Sequence, residues 1–395
     1  MNKNAIARVI SQRSVFALAF LATLALLSPF VTRKATRMPV RDLAKDFPFK
    51  RSFVDLNGGM HRLVGRKWCN GVFRFAGGTL LSELDECGDI GGTAARVVSF
   101  CRWLGARGVP YVYVQAPSKI DMPGSMLPAG LVHRGNGMAD VFLADLRNAG
   151  VRVVDLRAGF TSSPQDVVRN FYVGDHHWNN DAVFKAFGVL APEIARAAGD
   201  DPAAVAPYVS ESSWDRSVWP RCFYGTKTRR VGCLFGDLDD LAVYTPRFAT
   251  NMSIEIPCKG VRRSGDFRKT AMWNSGKICT RSGNGFRWDA YSLLYIGGVY
   301  GVVKHKNPGA PLKRRVLVVG DSYTRPLEAF LSTVVSDLIV LDQRRFAPGE
   351  TVAGFVKSFK PDLVLQLNNP SAFGADTLSG PKMHRPVLFE YGSLE

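Results

Sequence analysis

Two short runs in this 395-residue chain bring together side chains able to do nucleophilic and acid–base chemistry. The first is Val316 to Gly320 followed by Asp321-Ser322. An apolar strand that runs into Gly-Asp-Ser, with a helix starting at once, puts the Ser322 hydroxyl at the carboxyl edge of a sheet. Backbone N–H groups of the helix start can stabilise an oxyanion there. Taken alone, the run also has a structural explanation, because Ser caps helices and Gly makes turns. The second run is Gly174-Asp175-His176-His177-Trp178. An acid two positions before a histidine can orient that imidazole within one loop and leave it free as general base toward a serine. The same cluster could ligate a metal, although the chain has only six histidines and no evident Cys or Glu partner for it, or could be a hydrogen-bonded structural pair. Together the two runs supply the three complementary parts of a Ser-His-Asp device. Such a device needs neither a metal nor any other cofactor.

Positioning these parts calls for a sheet with helices on both faces, and the hydrophobic pattern predicts one. Helical spacing over 92–108 feeds the Val- and Tyr-rich strand 109–117. An amphipathic helix over 136–150, closed by Gly150, leads to a strand over 151–156. Asn179 to Asp181 can cap a helix that runs to about Ala197. After Ser322 come a helix to 335, a strand over 337–342, a helix near 350–360 and a strand over 362–367. This alternation indicates a three-layer α/β fold of flavodoxin-like kind with a largely parallel sheet. The stretch 200–310 breaks the rhythm and reads as an irregular insertion or cap.

The remainder bounds the setting. Apolar residues make up 46% and charged residues 22%, which excludes a disordered chain, a small disulfide-stapled module and a multispan membrane protein. Lys3, Arg8 and Arg13 precede an uncharged run of 17 residues, 15–31, which reads as an N-terminal membrane anchor or signal sequence over 1–31, with a linker over 32–52. Seven cysteines suit an oxidising compartment and up to three disulfides, with Cys222–Cys233 and Cys258–Cys279 as plausible local closures; ordinary buried thiols are the alternative. The net charge is +17, and 221–315 holds 18 basic against 6 acidic residues, interspersed with Trp273, Phe286, Trp288 and Tyr291. Cationic and aromatic side chains suit sugar faces with carboxylates or phosphates. Nucleic acid would suit them too, but no recognised reader motif is present. A solvated basic face is the plain alternative.

Asp-x-His-Trp followed by a later strand and Gly-Asp-Ser-Tyr resembles the SGNH-hydrolase-like domain of the alginate O-acetyltransferase family, whose members are exported or membrane-anchored and acetylate exopolysaccharides. The order matches that family's permuted arrangement, since His177 precedes Ser322 by 145 residues. The resemblance implies an SGNH-like domain over 53–385 with a basic insertion at about 200–310. It implies Ser322 as nucleophile, His177 as base, Asp175 as its orienter, and Trp178 as a buttress, with His176 in a variable position. Asn368, near the end of the strand DLVLQL, stands where such folds present an oxyanion-binding Asn; a simple turn into Pro370 is the alternative. Tyr323 and Arg325, just after the serine, and Lys119, beyond the strand 109–117, are further candidates for substrate or oxyanion contacts. Lys119 could instead orient the loop near the histidines. The implied activity is polysaccharide O-acetyl transfer through an acetyl-serine. A carbohydrate esterase with the same triad and a non-catalytic polysaccharide-binding subunit are the competing readings. The implied partners are an anionic or neutral exopolysaccharide, a membrane-embedded acetyl donor or transport protein, and the inner membrane through the N-terminal helix, with no nucleic acid. The implied location is the periplasmic face of the bacterial inner membrane, or the periplasm if the segment is cleaved.

Overall fold

The computed structural model describes residues 50–82, 89–119, 134–273, 281–282, 285–286, 290–373 and 388–395. The chain divides into two compact units, Met1–Val54 and Asp55–Glu395, and the elements below belong to the second. Strands β1 (Trp68–Cys69), β2 (Val72–Arg74) and β3 (Leu80–Leu81) form a small antiparallel sheet. Helix α1 (Ile90–Gly105) leads to β4 (Tyr111–Gln115), and α2 (Gly135–Asn148) leads to β5 (Arg152–Asp155). Helix α3 (Asn180–Ala198) starts where the Asn179 side chain accepts the Ala182 N–H at 2.9 Å, and it ends at Gly199 with φ +80°. The first of these signals was read from the sequence.

β6 (Trp214–Phe223) and β7 (Asp239–Pro246) form an antiparallel ribbon, followed by β8 (Met252–Ile256) and β9 (Val261–Gly265). The short pair β10 (Arg281–Ser282) and β11 (Gly285–Phe286) precedes β12 (Val302–Lys306). Then β13 (Leu312–Gly320), α4 (Thr324–Val334), β14 (Val335–Leu341), α5 (Val352–Phe359) and β15 (Leu363–Asn368) complete the fold.

Eight strands build the central sheet in the order β5-β4-β15-β13-β14-β12-β8-β9. The first five are parallel, and the last three continue the sheet antiparallel. The parallel strands are apolar at nearly every position because both of their faces are covered. In β13, Val316 and Val318 enter one core with Val112, Val114, Leu365, and residues of α3 and α4. Leu317 and Val319 enter the other with Tyr111, Tyr113, Val364, and residues of α1, α2 and α5. Gln366, a buried polar residue within β15, accepts hydrogen bonds from Tyr111 and Tyr391, each at 2.9 Å.

The stretch expected to be an irregular cap therefore supplies three strands of the central sheet. Its composition hides them: β8 is only five residues long and alternates buried with half-buried positions, as an antiparallel strand with one open face does.

Two expectations are corrected. Among the described residues no helix is long and apolar enough to cross a membrane, so none of these carries the membrane and signal-anchor reading; the run 15–31 lies outside the described residues. Cys69, Cys101 and Cys258 are free thiols, which leaves too few cysteines for three disulfides and excludes the Cys258–Cys279 closure.

Candidate active site

From β13 the chain crosses one face of the sheet through α4 to β14, then returns across the other face through α5 to β15. β15 lies on the opposite side of β13 from β14. Helix α4, which follows β13, covers one face, and α2, which follows β4, covers the other. The connections therefore diverge at the carboxyl ends of these two strands, on either side of β15, the place where open α/β sheets leave a crevice. Ser322 sits there, half-buried, in the turn between β13 and α4. Asp321 fixes that turn. Its carboxylate accepts the Tyr323 N–H at 2.9 Å and, from the end of β15, the Asn369 N–H at 3.0 Å and side-chain amide at 2.7 Å. Burial pushes the Asp321 carboxyl up, against the pull of Arg344 and these N–H donors.

The His run folds as a narrow loop, closed at its base by a bridge between Phe171 and Trp178 and by the Tyr172 N–H donating to the His177 carbonyl at 3.3 Å. His177 Nε2 lies 2.7 Å from Ser322 Oγ, and its Nδ1 lies 2.6 Å from Asp175 Oδ1. Asp175 Oδ1 also accepts the His177 backbone N–H at 3.0 Å, and Oδ2 accepts the Thr226 N–H at 2.5 Å. Burial alone would raise the Asp175 carboxyl, but His176, His177 and these donors together hold it well below the usual carboxylate range. An ionised carboxylate only accepts, so the proton of the His177 ring sits on Nδ1, and Nε2 is left as acceptor for the Ser322 O–H. The arrangement can take a proton from Ser322 as its oxygen attacks a carbonyl carbon.

Other residues brace this chain of bonds. The Tyr291 ring stacks on His177 with centroids 4.2 Å apart and planes at 19°, and Trp178 Nε1–H donates to Tyr291 Oη at 2.9 Å. The Tyr323 O–H donates to the His176 carbonyl at 2.5 Å, and its ring lies 5.2 Å from that of His177. The start of the short helix Thr226–Val231 comes up against the loop, with the Lys227 and Thr228 N–H groups donating to the Gly174 carbonyl. Only glycines allow this approach. A Cβ on Gly225 would fall 2.3 Å from the Gly174 oxygen, and one on Gly174 would fall 2.0 Å from Thr228 Oγ1.

The remaining sequence candidates divide. Asn368 is fully buried at the end of β15, and its Nδ2 has no hydrogen-bond partner among the described residues. Lys119 is buried, with Nζ donating to the carbonyls of Tyr172, Val173 and Asp175, so it holds the His loop rather than facing a sugar. Arg325 is fully buried and ion-paired with Glu328 at 3.2 Å and Asp342 at 3.8 Å, a core position with no face to a substrate. Tyr291, expected on a sugar-binding face, is buried beneath His177. Trp273 is stacked under the Arg263 guanidinium at 3.5 Å, and Trp288 lies outside the described residues. His176 is 43% exposed at the side chain, with Nδ1 3.2 Å from Thr226 Oγ1. Donor atoms of Asp175, His176 and His177 lie within 4.8 Å of one another, but His177 is already engaged at both nitrogens. Asp239 and Thr226 carry no recognisable motif in the sequence; their roles come from contacts 51 to 66 residues away in the chain.

The Tyr291 contact makes one prediction. Tyr291→Phe keeps the stack on His177 but strands the buried Trp178 N–H, and should lower unfolding free energy by about 1–3 kcal/mol in a urea titration.

Residues 75–214, which include Asp175 and His177, match the family described as "SGNH hydrolase-like domain, acetyltransferase AlgX". PatB1 of Bacillus cereus, solved with a sulfonyl adduct, superposes with a TM-score of 0.61 at 15% identity, covering 82% of this chain and 97% of PatB1. A DHHW-family protein from Eubacterium siraeum superposes with a TM-score of 0.56 at 16% identity, covering 79% and 95%. At such identities the likeness speaks for the fold. No curated protein sequence matches the chain. The match over 75–214 makes that part of the chain similar to an SGNH-hydrolase-like domain of the AlgX acetyltransferase kind, and the mixed α/β sheet is consistent with that architecture.

Proposed function

We propose that this protein is a serine-dependent O-acetyltransferase acting on a polysaccharide in the periplasm. The observation that carries the reading is the continuous hydrogen-bond chain Ser322–His177–Asp175 at the carboxyl edge of the sheet. His177 Nε2 takes the Ser322 proton while Oγ bonds to the acetyl carbonyl carbon. The tetrahedral intermediate then collapses, and the donor leaves with the proton returned by His177. A sugar hydroxyl attacks the acetyl-serine by the reverse sequence, with His177 again as base. Asn368 is the proposed side-chain donor to the oxyanion, on the ground that its buried Nδ2 has no other acceptor among the described residues. The acetyl group would come from a membrane-embedded donor or transport protein, and the basic residues of 221–315 would favour an anionic polymer.

Transfer and hydrolysis share the acetyl-serine and differ in what attacks it. Purified protein is therefore to be given an acetyl ester with and without acceptor oligosaccharide. The expected result is acetylated sugar formed at the expense of free acetate. Acetate release at an unchanged rate, with no acetylated sugar, would make the protein an esterase.

A further inference from the structure

The narrow His loop is bridged at its base, and besides the bonds its tip makes with 226–228 and Tyr323 it has further anchors. Two charged side chains supply them. Lys119 leaves the carboxyl end of β4, and its Nζ donates to the carbonyls of Tyr172 at 2.5 Å, Val173 at 2.6 Å and Asp175 at 2.9 Å. Asp239, the first residue of β7, accepts the Val173 N–H on one oxygen and the Gly174 N–H on the other at 2.8 Å. Both side chains are buried, at 3% and 7% exposure. Main-chain groups of four consecutive residues, the last of them Asp175, thus end on this pair.

The bond count fixes the charge state. Three converging carbonyls need three N–H donors, which an ammonium has and a neutral amine lacks. Two N–H groups on separate oxygens likewise fit a carboxylate. Burial pulls the Lys119 ammonium down and pushes the Asp239 carboxyl up, while each charge opposes the shift of the other and Asp175 adds to the support of Lys119. Removing one charge would leave the other buried and uncompensated.

We propose that Lys119 and Asp239 are a positioning pair that fixes the main chain of 172–175, so that the Asp175 carboxylate meets His177 Nδ1 and His177 Nε2 reaches Ser322. The inference rests on the catalytic reading of that site and adds two residues that touch the reacting atoms only through others.

The test uses the full chain with Lys119→Met, Asp239→Asn and the double variant. A chromogenic acetyl ester gives kcat and KM, urea unfolding reports the fold, and proton NMR follows the His177 Nδ1–H signal. Each single change should lower kcat about 100-fold, the scale of a displacement of about 1 Å, with KM within about twofold. The double variant should lose little more than either single one, because both act on one segment. Lys119→Arg keeps the charge but cannot place three N–H groups on three converging carbonyls, so it should show the same kcat loss even if Lys119→Met does not fold. Unchanged kcat and an unchanged Nδ1–H signal in a folded Lys119→Arg or Asp239→Asn protein would overturn the proposal. Recording the signal in a Ser322→Ala background separates the two ideas. A signal that fails to respond there sinks the positioning pair. Full ester hydrolysis by Ser322→Ala sinks the catalytic reading instead.

Discussion

Ser322→Ala is expected to abolish acetyl transfer, with kcat falling roughly 10⁶-fold, the scale seen when a serine nucleophile of this type is removed. The expectation follows from the bonding of its Oγ, which lies 2.7 Å from His177 Nε2 and is half-buried at the crevice. Removing that oxygen takes away the atom that would carry the acetyl group and leaves the Asp175–His177 pair intact. Unfolding free energy should change by less than about 1 kcal/mol, because the turn is held by Asp321 rather than by the hydroxyl. Acetyl analysis of polysaccharide from cells carrying the variant, alongside ester kinetics on the purified protein, is the measurement. Residual turnover above a tenth of wild type, or polymer acetylated as before, would leave the proposed nucleophile without support.

The second large effect is expected at Asp175. Asp175→Asn should lower kcat about 10⁴-fold, since an amide can no longer hold the Nδ1–H tautomer and the imidazolium that forms on it. Its effect on stability should also depend on pH. The carboxyl is held well below its ordinary value in the folded chain. The stabilisation it contributes is therefore fully present above the unfolded value of about 4, and is lost as pH falls through the lower folded one. Melting curves should show wild type above the variant by a constant margin near neutrality, narrowing below about pH 4. A margin that widens in acid would contradict the ionised, buried carboxylate.

Much of the parallel core was legible in the sequence because its signals are local. Val316 to Val319 is apolar without a break, as a strand covered on both faces must be, and Asn179 marks the start of α3. The Ser322 and His177 runs were legible for the same reason, each being a few adjacent residues at a turn or loop. Strands β8, β9 and β12 were missed because they are short and antiparallel, and they pair with partners distant in sequence. Arg325 misled because adjacence to a serine says nothing of direction. The α4 backbone turns its side chain into the core, toward Glu328 and Asp342.

By itself the sequence determined which side chains could do chemistry here and that a covered, mostly parallel sheet would carry them. Strand periodicity and turn residues encode that much within windows of about ten residues. Only the tertiary structure decided that His177 and Ser322 meet at 2.7 Å across 145 residues of chain. It also decided that Tyr291 lies under the imidazole, and that Lys119 and Asp239 both hold the loop. The physical reason is that these are non-local contacts. Their geometry depends on where β4, β7 and β13 end in space, and the packing of both faces of the sheet sets those ends.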